Sequence, residues 1–158
     1  MDLGEINSLY FNNVEVDSDF RWLLYQLFNE DEIFNLIGQD INLIPLDIDG
    51  NTEVEMPAVT LTVEQSGFIN KDDIEIQRYT PFLVEINVYT SGTDRVKNNN
   101  YLCNKIICYL QSNGQLPNYY CRGLRLDENR EVNSIIESAY RRVLRFSGLC
   151  DNKQKLIK

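Results

Sequence analysis

The chain has 158 residues, of which 43% are hydrophobic, so one domain with its own buried core is expected. Acidic residues outnumber basic ones by 24 to 15, and the formal net charge is −9. This charge disfavours binding to nucleic-acid phosphates and to anionic lipids, because like charges repel. Two interpretations of the acidity stay open: it serves solubility alone, or one face meets a basic partner or lines a channel through which DNA slides.

The sequence predicts no membrane partner. It contains no apolar run of about 18 residues, the length that spans a bilayer. Residues 1–10 include Asp2 and Glu5 and lack the basic start and apolar middle of a secretory signal. We therefore expect the protein in the cytoplasm of the cell that makes it.

We predict a single domain over residues 1–158, with an N-terminal arm at 1–16, a core at 17–150 and a polar tail at 151–158. Asp17 or Ser18 is a suitable N-cap for a first helix. The apolar stripe of this helix has the spacing i, i+3, i+4, i+7, i+8 and consists of Phe20, Leu23, Leu24, Leu27 and Phe28. Ile33, Phe34, Leu36 and Ile37 would extend it by a turn or two before Gly38 caps it.

Three strands are predicted after this helix. Residues 41–48 contain Pro45, which favours an edge strand or an extended segment. Residues 59–64 alternate apolar and polar side chains, the pattern of a half-buried strand. After a loop at 66–73, residues 74–90 give the longest strand signal, and Pro81 within it predicts an edge position or a bulge. The last two strands are expected to form an antiparallel hairpin.

A second helix is predicted from Thr93 or Asp94 to about Gln111. Its apolar stripe is interrupted by the polar residues Asn99 and Asn100, and consists of Val96, Cys103, Ile106, Ile107 and Leu110. Residues 117–123 are predicted as a loop and residues 124–126 as a short strand. The stretch 128–148 fits a helix by periodicity and a strand by its β-branched and aromatic content, and we favour a strand over about 138–150. These elements predict an α+β fold, in which a mixed or antiparallel sheet with long hairpins packs against two amphipathic helices.

The residues that carry most catalytic chemistry are missing from the sequence. It has no histidine, so Ser-His, Cys-His and His-metal sites are excluded, and it has no glycine-rich phosphate loop. The four cysteines form no Cys-x-x-Cys pair, which predicts reduced, partly buried thiols. Asp47, Asp49 and Asn51 resemble the start of a calcium loop, but Ala58 stands where its glutamate belongs. We predict no cofactor, no metal and no enzyme, with carboxylate chemistry as the remaining alternative.

The candidate contact residues are arginines and tyrosines. On a strand, Arg141 and Arg145 would share an exposed face. This basic cluster is either a docking strip for an acidic neighbour or a solvated face that pairs with carboxylates such as Glu85 across the sheet. Loop tyrosines suit interfaces because they give a large contact area at low entropic cost. The candidate interface residues are Arg141, Arg142, Arg145, Tyr79, Tyr119 and Tyr120.

The order of the elements resembles that of a known family. An amphipathic helix is followed by Met56-Pro57-Ala58-Val59-Thr60-Leu61, a loop, and the long strand Pro81-Phe82-Leu83-Val84-Glu85-Ile86-Asn87-Val88-Tyr89. A second helix and closing β segments complete the pattern. Over residues 18–148 this is similar to the tail-terminator, or tail-completion, proteins of long-tailed bacteriophages and related injection machines. That family closes with two antiparallel strands, at the place where this chain has its ambiguous stretch.

The resemblance implies a structural protein of the virion tail or neck, assembled in the host cytoplasm. It implies a homohexameric ring at the head-proximal end of the tail, which ends polymerisation of the tube. The partners would be other copies of the chain, the tail tube protein and a neck or head-connector protein, while DNA passes through the lumen without specific binding. Alternatives are another neck or tail component, or a non-viral adaptor domain that binds a protein.

Overall fold

A computed structural model of the chain describes residues 13–30, 33, 42–44, 56–65, 79–112, 119–134 and 139–155. Within these residues the helices are α1 (Asn13–Phe28) and α2 (Arg95–Ser112). The strands are β1 (Asn42–Ile44), β2 (Ala58–Gln65), β3 (Tyr79–Ser91), β4 (Tyr119–Val132) and β5 (Ala139–Lys155). The predicted α+β class is confirmed.

The described strands form one mixed sheet in the order β1-β2-β3-β5-β4. Strand β1 pairs in parallel with β2, whereas β2–β3, β3–β5 and β4–β5 are antiparallel. The β2–β3 pairing confirms the predicted hairpin, although its loop at 66–73 lies outside the described residues. Strand β1 lies at the edge of the sheet, as Pro45 predicted for this segment. Strand β5 lies between β3 and β4, so β4 is the other edge strand of the described sheet.

The alternation of side chains along the strands divides the sheet into two faces. Val59 and Leu61 of β2 lie directly opposite Val88 and Ile86 of β3, so all four share one face. Both helices pack against this face, which we call the helix face, and its residues form the hydrophobic core. Burial of each large apolar side chain stabilises the fold by roughly 1.5–3 kcal/mol. We call the opposite side of the sheet the distal face.

The first helix begins earlier than predicted. It starts at Asn13, so the prediction of an N-cap at Asp17 or Ser18 is wrong. Asp17 lies inside the helix, where its carboxylate pairs with Arg21 one turn later. Val16 is fully buried and precedes Phe20 by one turn, so its burial favours a longer helix over a cap at Asp17. Ile33 is also buried, whereas Phe34, Leu36, Ile37 and Gly38 lie outside the described residues.

The second helix buries an asparagine in place of a predicted valine. Its start is as predicted, since the Asp94 carbonyl accepts the first helical hydrogen bond from the Asn98 amide at 2.9 Å. Val96, however, is exposed, and Asn99 is completely buried. The Asn99 amide nitrogen donates to the Val88 carbonyl at 2.8 Å and to the Tyr140 carbonyl at 3.3 Å. Asn99 therefore belongs to the packed stripe, because its polar atoms are bonded to β3 and β5.

The last two strands are longer than the sequence predicted. Strand β4 covers residues 119–132, so the predicted loop at 117–123 is wrong where it falls on this strand. The predicted strand at 124–126 is confirmed, but it is part of a much longer one. Strand β5 confirms the predicted strand over 138–150 and continues to Lys155, into the predicted polar tail. Its extra residues are polar, but they pair with the first residues of β3 and β4, and backbone pairing does not require an apolar side chain.

Pro81 lies where one of the two ladders of β3 ends. In the ladder between β3 and β5, Pro81 lies directly opposite Leu149. The described ladder between β3 and β2 ends at Phe82, the residue after Pro81. A proline cannot donate to a ladder, so it is tolerated where the strand has a neighbour on only one side. Within the described pairing, Pro81 therefore lies beyond the end of the β2–β3 ladder, and this position fits the edge position that was predicted for it.

We predict that Asn99→Ala destabilises the protein by about 2–3 kcal/mol, because it removes two hydrogen bonds to strand carbonyls and leaves a cavity. The matched control is Asn100→Ala, an exposed neighbour on the same helix, which should change the free energy of unfolding by less than about 0.5 kcal/mol. Urea unfolding with an unchanged m-value measures both. Equal losses in the two variants would show that the buried amide does not hold α2 to the sheet.

Candidate interaction surfaces

A row of charged side chains crosses the distal face from β3 through β5 to β4. Arg145 lies directly opposite Glu85 on one side and Glu128 on the other. The Arg145 Nε and Nη2 atoms donate to Glu85 Oε1 at 2.9 and 2.8 Å, and Nη1 lies 3.0 Å from Glu128 Oε2. The hydrogen bond with Glu85 and the nearby carboxylates raise the pKa of Arg145, so its charge is permanent. We call Glu85, Arg145 and Glu128 the ionic row.

Further charge pairs extend this pattern along the edge strand. Arg130 donates to the second oxygen of Glu128, and Arg125 donates to Asp127 at 2.7 Å. A hydrogen bond from Ser147 and a second from Arg125 lower the pKa of the Asp127 carboxyl. The exposed part of β4 therefore carries both signs of charge, and Arg125 and Arg130 are each matched by a carboxylate close by.

Arg141 extends the network at the buried end of the distal face. Its Nε and Nη2 atoms both donate to Asn87 Oδ1, at 2.9 and 2.7 Å. The guanidinium also lies over the Tyr89 ring, 5.6 Å from its centre. Asn87 and Tyr89 are almost fully buried, and a long 3.5 Å contact joins the Asn87 amide to Glu85. Arg141 and the ionic row are thus parts of one polar network.

Arg142 lies on the opposite side of the sheet from the other two arginines. It alternates with Arg141 along β5 and reaches the helix face, where it donates to Asn129 at 3.0 Å and to the Tyr140 hydroxyl at 3.2 Å. Burial raises the pKa of the Cys103 thiol to about 12, and the positive charge of Arg142 opposes part of that rise. The structure brings Arg141 and Arg145 together, as predicted, and separates Arg142 from them.

The predicted tyrosines lie at the other end of the sheet. Tyr79 opens β3 opposite Asp151, and Tyr119 opens β4 opposite Lys155, with Tyr120 next to it. The side chains of these three tyrosines lie outside the described part of the structure. About 33 Å of strand separates Arg141 from Asp151 at the usual rise per residue. Tyr79 and Arg141 therefore lie towards opposite ends of the sheet, and Tyr119 and Tyr120 belong to a strand instead of the predicted loop.

The contacts of Arg145 bear on both interpretations of the arginine cluster. Pairing with Glu85 across the sheet is confirmed by the contacts of Arg145. Because one arginine is shared by two carboxylates, the ionic row has a net negative charge. A partner that binds there would contact an Arg145 whose positive charge is already paired. Docking of an acidic neighbour on the arginines stays a prediction.

An exposed aromatic pair on α1 was missed in the sequence. Trp22 and Tyr25 are 51% and 48% exposed and are three residues apart, so they lie side by side on the helix surface. The sequence does contain a signal for their exposure, because both fall outside the apolar stripe that includes Phe20, Leu24 and Leu27. Exposed tryptophan and tyrosine are enriched in protein interfaces. We call Trp22 and Tyr25 the α1 aromatic pair.

A groove of about 450 Å³ runs along the distal face beside the ionic row. Leu83 contributes an apolar wall, and Glu64, Glu85 and Arg145 contribute charged ones. Thr62 lies directly opposite Glu85 and forms part of the same surface. This distal groove is on the side of the sheet opposite α1, because α1 packs on the helix face.

The described residues contain no group of three or more cysteine, aspartate or glutamate side chains placed to hold a metal ion. Neither of the described helices is long and apolar enough to cross a membrane. No protein-family model matches the chain, and comparison with curated proteins finds no match either.

We predict that Arg145→Gln lowers the free energy of unfolding by about 1 kcal/mol at low salt, because Glu85 and Glu128 lose the cation that they share. Arg125→Gln is the matched control: Arg125 contacts one carboxylate, and its side chain is 76% exposed compared with 48% for Arg145. Its loss should be smaller. The difference between the variants should shrink in high salt, since ions screen the pairs. Denaturant unfolding at two salt concentrations measures it, and equal, salt-independent losses would contradict the bridging role.

Proposed function

We propose that this chain is a structural virion protein that resembles the bacteriophage tail terminators, forms a ring at the head-proximal end of a tail, and ends growth of the tail tube. The observation that carries the proposal is the order of elements. The segments that carry the resemblance lie on β2 and β3, between two helices, and β4 and β5 supply the closing antiparallel pair that the resemblance implies. The stretch that was ambiguous in the sequence is thus compatible with the family pattern.

A ring requires a head-to-tail contact between two different surfaces of the same chain. The α1 aromatic pair and the distal groove are two such surfaces, since they lie on opposite sides of the sheet. The groove offers Leu83 for apolar contact and a polar rim of Glu85 and Arg145. In the proposed ring, the aromatic pair of one subunit enters the distal groove of the next, where a buried aromatic side chain would supply much of the binding energy.

The charge of the chain agrees with the proposed place in the particle. Six copies with a net charge of −9 each would surround a strongly negative lumen. Such a lumen would repel the DNA that passes through it, so the DNA moves without binding. The remaining partners in this proposal are the tail tube protein on one side of the ring and a neck or head-connector protein on the other.

We predict that the purified chain forms a particle of six subunits, either alone or when tail tubes are added, because the ring contact is between copies of the chain. Size-exclusion chromatography with light scattering gives the mass of the particle. A chain that stays monomeric at every concentration and never joins tail tubes would contradict the proposal. A monomer that binds one other protein at a fixed ratio would favour the adaptor alternative.

We predict that Trp22→Ala weakens subunit association by about 30-fold, the effect of losing roughly 2 kcal/mol at an interface hot spot. Gln26→Ala, an exposed neighbour on the same helix, is the matched control and should assemble as the unmodified chain does. Trp22 is the only tryptophan, so its emission should shift to shorter wavelength as the ring forms. Two results together would exclude the aromatic pair from the contact: Trp22→Ala assembles normally, and the tryptophan emission of the unmodified chain does not change on assembly.

A further inference from the structure

The charge of the chain is divided unevenly between its two halves. Residues 1–75 contain 17 acidic and 2 basic residues, a net charge of −15. Residues 76–158 contain 7 acidic and 13 basic residues, a net charge of +6. We call these the acidic half and the basic half. Such an asymmetry between the halves of a chain indicates a charged partner.

The fold keeps the two halves apart. Strands β1 and β2 belong to the acidic half, and β3, β5 and β4 follow them across the sheet and belong to the basic half. In the helix layer, α1 packs on β2, while α2 packs on β3, β5 and β4. The distal groove is formed mainly by β2 and β3, so it lies where the two halves meet.

Helix α2 carries positive charge and no acid of its own, since Arg95–Ser112 contains no aspartate or glutamate. Lys97, Tyr101 and Lys105 are four residues apart and lie along one side of this helix. Lys97 is exposed, and the Lys105 ammonium lies over the Tyr101 ring, 5.5 Å from its centre. We call these three residues the α2 basic strip.

The proposed ring contact leaves two orientations for a neighbouring subunit. Helices α1 and α2 pack against each other, and packed helices lie roughly 8–10 Å apart, about the width of two strands. When α1 of one subunit enters the distal groove of the next, its α2 therefore lies to one side of that groove. In one orientation α2 is over β5 and β4, and after half a turn about the sheet normal it is on the side of β2 and β1.

We propose that the α2 basic strip binds the acidic half of the next copy of the chain, on the distal face beside Glu64. Glu64 is an exposed wall of the distal groove on β2. The inference rests on the proposed function, because it specifies which of the two orientations the ring contact takes. The strip is then a second part of the contact that the α1 aromatic pair makes.

The charges on the distal face favour this orientation. The carboxylates on β4 already have arginine partners, since Glu128 pairs with Arg145 and Arg130, and Asp127 pairs with Arg125. A lysine over β4 or β5 would add positive charge to the half that is already positive. On the side of β2, the same lysine would meet the half whose net charge is −15, and opposite charges attract.

The same division of charge favours a head-to-tail contact. In a two-fold dimer each surface meets its own copy, so a dimer through the α2 basic strip would bring lysines together. A contact between the strip of one copy and the acidic half of the next joins opposite charges and leaves both surfaces available for further copies. Attraction between these sides would also steer the encounter, so association should slow as salt is added.

The test uses two charge-reversed variants of the full-length chain. One is Lys97→Glu combined with Lys105→Glu, and the other is Glu64→Lys. Each variant alone places like charges across the contact, so its self-association at low salt should be about 10-fold weaker than that of the unmodified chain. An equimolar mixture should recover most of the lost affinity, because the reversed strip of one variant meets the reversed groove of the other. Light scattering measures association, and urea unfolding shows that each variant is folded.

The mixing step is its own control, because it alters the folding and the net charge of neither variant. Equal association of the unmodified chain and the double lysine variant, or loss without recovery on mixing, would overturn the inference and leave the ring proposal standing. Recovery in a particle of two subunits would support the charge-directed contact and contradict the ring. An unmodified chain that never self-associates would overturn both.

Cross-linking identifies the surfaces that meet. A carbodiimide joins lysine amines to carboxylates in contact, and a mixture of heavy-isotope and ordinary chains shows which links join two copies. We expect links from Lys97 or Lys105 to Glu64 or to other acids of residues 1–75, and links to the acids of β4 would overturn the inference. Duplex DNA is the other candidate for a basic strip. DNA that binds the unmodified chain, competes with self-association and fails to bind the double lysine variant would assign the strip to DNA instead.

Discussion

The register of β5 between β3 and β4 determines which side chains meet in most of this structure. It puts Arg145 between Glu85 and Glu128, and it puts Cys150 opposite Cys121. A slip by one residue would move every side chain of β5 to the other face, so Phe146 would leave the core and Arg145 would enter it. The core and the distal face therefore specify the same register. In the described register, the irregular steps fall on the β4 side of β5.

The two faces contribute to the fold in different ways. On the helix face, each large apolar side chain stabilises the fold by roughly 1.5–3 kcal/mol, and the contributions act together. On the distal face, exposed ion pairs contribute about 0–1 kcal/mol each. The core therefore accounts for the stability of the fold, while the ionic row disfavours alternative pairings of the same strands, since a slipped register would separate Arg145 from Glu85 and Glu128. Asn99 adds a third constraint, because its amide joins α2 to both β3 and β5.

Local patterns in the sequence predicted the features that depend on near neighbours. The alternation in residues 59–64 and 82–88 predicted β2 and β3, and the spacing of Phe20, Leu24 and Leu27 predicted the buried side of α1. The burial of Asn99 was not predictable, because its partners Val88 and Tyr140 lie 11 and 41 residues away in the chain. Only residues 124–126 of β4 were predicted as a strand, because the rest of this edge strand carries paired charges in place of apolar alternation. Glu85 was predicted as a partner of Arg145. Glu128 was not predicted, because its position opposite Arg145 depends on the shifted register of β4.

A protein that is proposed to end the growth of a tube must not itself grow without limit. An exposed strand edge invites open-ended pairing, and within the described sheet β4 offers such an edge over residues 119–132. Its register shifts and its charges, which include Arg125, Asp127, Glu128, Arg130 and Glu131, oppose that pairing. Self-association through side-chain surfaces, such as the α1 aromatic pair and the distal groove, has a fixed geometry and can close into a ring. The protected edge and the exposed aromatic pair thus favour the same outcome, a contact that is made between subunits a limited number of times.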